Sequence, residues 1–600
     1  MCSILGSFNP RLSFQEYEQL NISMSHRGPD NSTLKEFVFQ DKRIFLGHNR
    51  LAIQDLDAKA NQPMQSERFV IIFNGEIYNH LELRNELKNT FLTHSDTETL
   101  LALFLHYGVK KTISKLIGMF AIALLDKHDD KLYLIRDRVG IKPLYWTLQD
   151  NEFSFSSELK GFSSHLKSKK NDKSLIQFMS LGYIPNDKSY YHDINKLPPA
   201  HLLTFDGTTT KVERYWDLPK EKIDISFEDA LQQSESLIRS SINYRLLADV
   251  EVGSFLSGGV DSSLVSAIMQ QESQKNIKTF SIGFEDKRYD ESIYAKEVAK
   301  YLNTEHYEYK FKATDVLELI NDFDIFYDEP FGDASSLPMM ILSKMTKEHV
   351  TVALSGDGGD ELFTGYERYF LTQDYYKKLS KLPNFARKAL STIAPYSYQD
   401  KLEKIAYPLK NLSHENLYAV LNTAVKPWEL SKIFNQDFMY SVFDKEPSFL
   451  DLQELPMKFN TIENFSTFDF YRYLPDDILT KVDRASMAYS LEARVPLLDH
   501  RVVEFAYALP TKVKLQKGKK SILKEILYQH VPKKLIDRPK KGFSVPLQHW
   551  FRDELKDILF EKIESLDEKF DKEHITSLAN KHIYKNRNYE YIFWNLMRIS

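Results

Sequence analysis

The chain holds one cysteine in 600 residues, and it is Cys2. Cys is small enough for Met1 to be removed, which would leave Cys2 as the N-terminal residue. Its thiol would then sit beside a free α-amino group, which titrates near ~7.7–8 against ~10.4 for a lysine. Near neutral pH enough of that amine is unprotonated to act as base for its own thiol, directly or through water. From position alone, an inert residue at a terminus is the equal alternative. Acyl transfer also needs donors for a developing oxyanion, and the Asn74 side chain with the Gly75 amide would serve. An amino-acid substrate needs a cation for its carboxylate and an anion for its ammonium. Arg50 and Asp96 are suited to these roles, Arg because its fork matches a carboxylate. Taken singly, each is an ordinary surface or turn residue.

A second group lies in SGGVDSS, Ser257 to Ser263. It follows an apolar strand pattern and opens a helical one. Two glycines let backbone amides approach an anion, and the hydroxyls and helix N-terminus add donors. This is a phosphate cradle without the GK[ST] of the Walker type. A third group is the loop ALSGDGGDE, which supplies Asp357, Asp360 and Glu361 after another apolar run. An acidic Gly-rich loop is otherwise a solvated turn, but active-site loops of α/β sheets lie after core strands. Lys481 stands in a polar, helical-looking stretch. A cation there could meet charge building up on phosphate, although a lone Lys is ordinarily a solvated face.

These residues need elements to hold them. Before residue 215 the pattern is of short strands and turns with helices between. Phe69 to Asn79 is an apolar run ending in an Asn-Gly turn signal, and Met119–Asp126 with Lys131–Asp137 reads as a hairpin. LELRNELKN and TETLLALFLHYG have helical spacing. From Asp217 a polar, Pro-punctuated linker follows. Beyond it, DVEVGSFL, IKTFSIGF and HVTVALSG alternate with helical stretches, which predicts a parallel α/β sheet. The last 200 residues are mainly helical in pattern. No internal repeat or low-complexity tract is present.

Bulk composition agrees. Six hundred residues exceed one hydrophobic core. A net charge of −5 gives no reason to propose nucleic acid or an anionic membrane as partner. One Cys excludes an internal disulfide framework and a Cys-rich metal site. No secretory signal and no apolar run of membrane-helix length is found, so a cytoplasmic location is expected.

Read together, MCSILG, SHRGPD, GHNRLAI, Gln62-Pro63, FNGEIYN, SDTE and RDRVGIKPLYW occur in an order that resembles the class II glutamine amidotransferase domain. The resemblance implies a four-layer αββα N-terminal-nucleophile hydrolase sandwich over residues 2–215. Cys2 would be the nucleophile, with Arg50, Asn74, Gly75, Glu76 and Asp96 forming the glutamine pocket and Asn74 and Gly75 the oxyanion donors. SGGVDSS resembles the pyrophosphate loop of ATP pyrophosphatases. With TKVDRASMAYSLEARVPLLD and the closing DRPKKGFSVPL, residues 225–600 resemble the synthetase domain of the asparagine synthetase family, a parallel α/β domain with additional helices.

That resemblance implies that Leu256, Ile282, Ser355 and Gly356 contact AMP. Ser257, Gly259, Asp261 and Ser262 would hold pyrophosphate, with Gly258 also at the ATP site and Asp261 and Asp360 on Mg²⁺. Asp357 would act at the acyl-adenylate stage and Lys481 would stabilise the transition state. ATP and Mg²⁺ are the implied cofactors, an apolar ammonia channel between the domains is implied, and a homodimer is allowed. Aspartate is the expected acceptor. The stretch YDEPFGDASSLPMM (Tyr327 to Met340) departs from the best-known enterobacterial acceptor loop, so a sugar uronate or another carboxylate is the alternative. β-Lactam synthetases usually lack the N-terminal Cys, and a non-catalytic relative would be expected to lose Cys2, Asp261 or Lys481.

Overall fold

The computed structural model describes residues 2–599 except 88, 168, 186, 286–289, 394–399, 539–544, 585 and 586. The middle of the DRPKKGFSVPL stretch therefore lies outside the described residues.

The first part of the chain runs through β1 (Ser3–Phe8), β2 (Asn31–Phe39), β3 (Lys42–Arg50), β4 (Met64–Gln65), β5 (Phe69–Ile77) and β6 (Gly118–Asp126). It continues with β7 (Lys131–Arg136), β8 (Tyr145–Gln149), β9 (Glu152–Ser156), β10 (Asn195–Lys196), β11 (His201–Phe205) and β12 (Thr210–Arg214). They form two six-stranded sheets, ordered β10-β8-β9-β1-β3-β2 and β12-β11-β7-β6-β5-β4. The alternation of side chains along a strand explains the layering. On β5, Val70 and Ile72 face the other sheet, where Ile4, Phe8, Ile44 and Leu46 meet them. Phe69, Ile71 and Phe73 face outward onto Leu100, Leu103 and Phe104 of the helix Asp96–Tyr107. On the far side, Leu5 and Phe45 pack against Tyr17 of the helix Phe14–Ile22. The result is the expected αββα sandwich.

One local expectation fails. The Asn-Gly pair is no turn: β5 runs through it, with Asn74 opposite Ala121 and Gly75 opposite Phe120. Gly75 has φ +147, and a Cβ there would lie 2.0 Å from the Met119 carbonyl oxygen. Glycine is needed for the close approach of β6, not for chain reversal.

Residues 215–226 carry no helix or strand and lie over the second domain, with the Ile223 amide donating to the Ala508 carbonyl at 3.0 Å. There β13 (Val252–Phe255), β14 (Lys278–Phe284), β15 (Glu305–Phe311), β16 (Val352–Leu354) and β17 (Glu492–Arg494) form one sheet, ordered β15-β14-β13-β16-β17. Every pairing in it is parallel. Strands β15 and β17 have no apolar run to announce them: both carry charged residues among the others. Helices dominate after residue 359 and share a large aromatic-rich core. No helix among the described residues is long and apolar enough to cross a membrane.

The two domains meet over a buried ion cluster. The Arg27 guanidinium, wholly buried, lies 2.8 Å from Glu158 in its own domain and 2.9 Å from Asp483 in the other. Arg484 reaches Glu158 at 2.8 Å and Asp328 at 3.0 Å. Burial pulls both carboxyls upward, but Arg484, His26 and Lys160 hold Glu158 well below the usual carboxylate range, and Arg27 and Lys142 hold Asp483 down. Asp483 and Arg484 belong to the helix Thr480–Met487, called here the bridging helix. Glu158→Gln keeps shape and removes charge, leaving each arginine buried with one carboxylate. It should lower unfolding free energy by about 3–5 kcal/mol in urea titrations. Because the folded-state pKa values are depressed, this stability is complete above the ordinary carboxylate range and fades as pH falls through and below it. A native-like unfolding curve for Glu158→Gln would remove the cluster from any role in stability.

Candidate active sites

Two sites form, one at each domain, on either side of this cluster. The first begins at Cys2, which precedes β1 near the middle of its sheet and is buried. Its backbone nitrogen donates to Asn74 Oδ1 at 3.0 Å. That orientation leaves Asn74 Nδ2 buried with no hydrogen-bond partner among the described residues. An amide donor held this way is ready for an oxyanion. Burial pushes the Cys2 thiol up; the Leu51 amide donates to it and opposes this, while Glu76 and Glu492 push it further up. The Cys2 carbonyl is held by Arg27 Nε at 3.1 Å, so this residue is tied directly to the interdomain cluster.

The other predicted residues of this site gather around Cys2. Asp96, at the start of its helix, accepts from the Ile77 amide at 2.9 Å. Burial, aided by Glu492, pushes its carboxyl up to about 6. Glu76 accepts from Gln54 Nε2 and is also raised, by burial first and then by Glu492 and Asp96. Arg50 is engaged differently from expectation. Its terminal nitrogens donate to the Asp57 carbonyl at 2.9 Å, Asn61 Oδ1 at 2.8 Å, and the carbonyls of Gln54 and Asp55. The fork braces the loop 54–61, and a substrate carboxylate would share it with that loop.

Two residues of this site come from the second domain and escaped sequence reasoning. Arg494 Nε donates to Glu492 at 2.6 Å, and Arg494 Nη2 lies 3.7 Å from Glu76. Both sit on β17 with no exposed surface. The available signal was E-x-R in a short strand, where alternate residues share a face.

The second site is a cavity of about 420 Å³ at the carboxyl ends of the parallel strands, where α/β sheets bind ligands. Its lining brings together Leu256, Ser257, Asp261, Ser262, Ile282, Ser355, Gly356, Asp357, Asp360 and Lys481, as the motifs predicted. Gly258 and Gly259 do not line it; they turn the loop. Gly258 has φ +71, and a Cβ there would meet the Ala295 nitrogen at 2.8 Å. The loop closes on itself, with the Ser257 amide donating to Ser262 Oγ at 3.1 Å and the Gly259 amide to Ser257 Oγ at 3.3 Å. Ser355 Oγ donates to Asp357 at 2.8 Å.

Lys481 is no solvated lysine. It projects from the bridging helix into the cavity and lies 2.9 Å from Asp333 of the DEPFGDASS loop. Burial disfavours its charge, but Asp333 and Asp477 more than offset this and hold the ammonium on. Glu361, hydrogen-bonded by the Tyr366 hydroxyl at 2.8 Å, is pushed up to about 8 by burial and by Asp360.

Lys520 was also missed. Its Nζ lies 2.5 Å from Asp261 and 2.6 Å from Asp360, joining the two carboxylates expected on Mg²⁺. In sequence it hides in KGKK, which reads as a solvated basic turn. It has φ +52 at the start of the helix Ser521–Tyr528, an uncommon conformation for a side chain of this length. The two carboxylates converge closely enough to share one cation, and Mg²⁺ commonly takes one or two carboxylates plus phosphate oxygens. Asp261 and Asp360 therefore fit such an ion, although no cluster of three ligating side chains forms among the described residues. Removing the ammonium tests this. Lys520→Gln should melt below the native protein in chelator, and millimolar Mg²⁺ should raise its melting temperature more than it raises the native one. Equal Mg²⁺ responses would count against a shared cation site.

Comparison with known proteins agrees with this geometry. Residues 1–216 match the glutamine amidotransferase domain model and residues 233–600 the asparagine synthase model. Asparagine synthetase (glutamine-hydrolysing) 1 of Bacillus subtilis is 32% identical, covering 100% of this chain and 95% of that protein. Putative asparagine synthetase (glutamine-hydrolysing) 2 of Methanocaldococcus jannaschii is 36% identical over 81% of this chain and 98% of its own length. Amidase chry2 of Gibberella zeae is 24% identical over 89% of this chain and 86% of its own. The chain belongs to the asparagine synthase family and is a glutamine-hydrolysing carbon–nitrogen ligase of that family.

Proposed function

We propose that this chain releases ammonia from glutamine at Cys2 and uses it to convert aspartate to asparagine in its second domain, with ATP cleaved to AMP and pyrophosphate. The functional halves are residues 2–215 and 225–600, and the reaction belongs in the cytoplasm. The observation that carries this reading is the cavity that gathers both Gly-rich loops and Lys481 at the carboxyl ends of the sheet.

In the first site the Cys2 α-amine takes the thiol proton, and the sulfur attacks the glutamine side-chain amide. The Asn74 Nδ2 donor and the Gly75 amide hold the oxyanion. The amide nitrogen leaves as ammonia, and water then cleaves the glutamyl thioester to glutamate. Arg50 takes the substrate carboxylate, and Glu76 and Asp96 its ammonium. In the second site the aspartate side-chain carboxylate attacks the α-phosphorus of ATP, and pyrophosphate departs along Ser257 and Ser262, whose loop Gly259 shapes. Bound Mg²⁺, held by Asp261 and Asp360, would neutralise phosphate charge. Leu256, Ile282, Ser355 and Gly356 seat the AMP half. Ammonia attacks the acyl-adenylate carbon, AMP leaves, and Lys481 stabilises the charge on the intermediate. Asp357 acts at this acyl stage.

Ammonia needs its lone pair, so water and acid must be kept from it. Tyr78, Met119, Val139 and Ile141 of the first domain join Ile478, Leu479, Val495 and Leu497 of the second in one buried apolar cluster. Ile478 also lines the ATP cavity. This supports an apolar route between the sites.

Another acceptor is the second reading. Tyr327 to Met340 places Asp333 and Ser335 in the cavity wall, where an acceptor would lie, in a loop of the DEPF type. Similarity over 88–89% of this chain to two proteins named amidases supports a uronate or other carboxylate as the alternative.

Incubation with glutamine, ATP, Mg²⁺ and a panel of carboxylates decides between them. Asparagine and AMP should form together from aspartate; if a uronate is amidated instead, the aspartate reading falls and the ligase reading stands. Cys2→Ala should abolish glutamine use and spare ammonia use, whereas Lys481→Met should stop product formation with either donor.

A pH dependence follows from Asp96. Its carboxyl, raised to about 6, must ionise to hold an ammonium, so KM for glutamine should fall as pH rises from 5 to 7. Asp96→Asn should raise KM by about 10–100-fold, the worth of a charged hydrogen bond, and flatten the profile. For stability the sign is opposite. A raised carboxyl stabilises most at low pH, and the contribution is lost as pH rises through about 6.

A further inference from the structure

The helix Asn384–Ile393 has no buried residue at all. A helix of ten residues is marginal in water without a packed face, so some surface should cover it. The element it packs on is the helix Asp400–Lys410, and that contact leaves the apolar side open. Phe385 is 76% exposed, Ile393 66% and Leu390 46%, with Leu382 just ahead of the helix at 37%. At about 100° per residue, Phe385, Ala389, Ile393, Ala386 and Leu390 fall on one continuous side. Arg387 and Lys388 flank that side left and right. The approach to the helix is equally basic. Lys377, Lys378 and Lys381 are exposed, and no acidic residue occurs between Asp374 and Asp400. The adjoining helix does not reverse this: Asp400–Lys410 carries two acidic and three basic residues. A whole-chain charge of −5 conceals this local excess.

We propose that this helix is a docking surface for an anionic lipid bilayer, lying in the interface with Phe385, Leu390 and Ile393 inserted and Arg387 and Lys388 at the headgroups. An apolar arc with basic residues at both margins is the pattern of in-plane membrane helices, and each basic residue near an anionic leaflet adds attraction. A second copy of the chain fits less well. Two-fold pairing would set the same basic margins against each other, which like-charge repulsion disfavours. Docking here makes the protein peripheral; it adds no spanning segment.

Co-sedimentation of the full-length protein with vesicles tests this. Binding to phosphatidylglycerol/phosphatidylcholine vesicles should exceed binding to phosphatidylcholine alone by at least about tenfold, and should fall by about tenfold between 0.05 and 0.5 M salt as charges are screened. Phe385→Asp with Ile393→Asp should abolish it, and Arg387→Gln with Lys388→Gln should weaken it. Leu92→Asp, which removes an exposed apolar residue elsewhere (Leu92 is 83% exposed), should bind like the native chain. Glutamine hydrolysis in solution should be unchanged in all of these, reporting intact folding. The proposal is overturned by equal binding to neutral and anionic vesicles, by native-like binding of the Phe385/Ile393 variant, or by binding to soluble heparin but not to vesicles. A native dimer that Phe385→Asp converts to monomer would likewise overturn it in favour of self-association.

Discussion

The structure turns on one buried guanidinium. Arg27 has no exposed surface, yet it carries a full charge, and a charge in that setting is tolerable only when its partners are close and fixed. Its partners are the Cys2 carbonyl, Glu158 and Asp483. They represent, in turn, the proposed nucleophile, the first domain's frame and the second domain's bridging helix. Because none can move away without stranding the charge, the N-terminal segment, which would otherwise fray, is held in place. The bridging helix is fixed by the same constraint and presents Lys481, two residues before Asp483, to the second-domain cavity.

A second regularity is that cations in the synthetase cavity are already matched to carboxylates. Lys481 rests on Asp333 and Lys520 lies between Asp261 and Asp360. Such pairing holds the carboxylates of Asp261 and Asp360 converged in a site proposed to receive a polyanion. It also means that phosphate binding exchanges partners and does not simply fill positive space. The proposed glutamine pocket shows the reverse balance. Glu76, Asp96 and Glu492 crowd together, and burial with their mutual repulsion raises two of the three carboxyls. An acidic pocket of this kind would suit an ammonium group.

Much of this was legible in the residue order. The layering followed from strand periodicity, the parallel sheet from strand–turn–helix repeats, and the cavity lining from two Gly-rich loops. What escaped was of one physical kind. Glu492, Arg494 and Lys520 are charged residues brought into the candidate sites by burial, and burial of a charge is decided by distant segments that no local pattern reports. The Asn-Gly pair erred in the opposite direction. Its local signal is a turn, and a neighbouring strand overrides it by demanding the space a Cβ would fill. Arg50 illustrates a third case: the residue stands where the motif places it, but its hydrogen bonds go first to its own loop.

The bridging helix has two occupied sides, one holding Lys481 toward the nucleotide cavity and the other locking Asp483 and Arg484 onto the first domain. Such a helix makes the two halves poor modules. A first half without the charges of Arg27 and Glu158 would leave Asp483 and Arg484 buried without these partners across the seam.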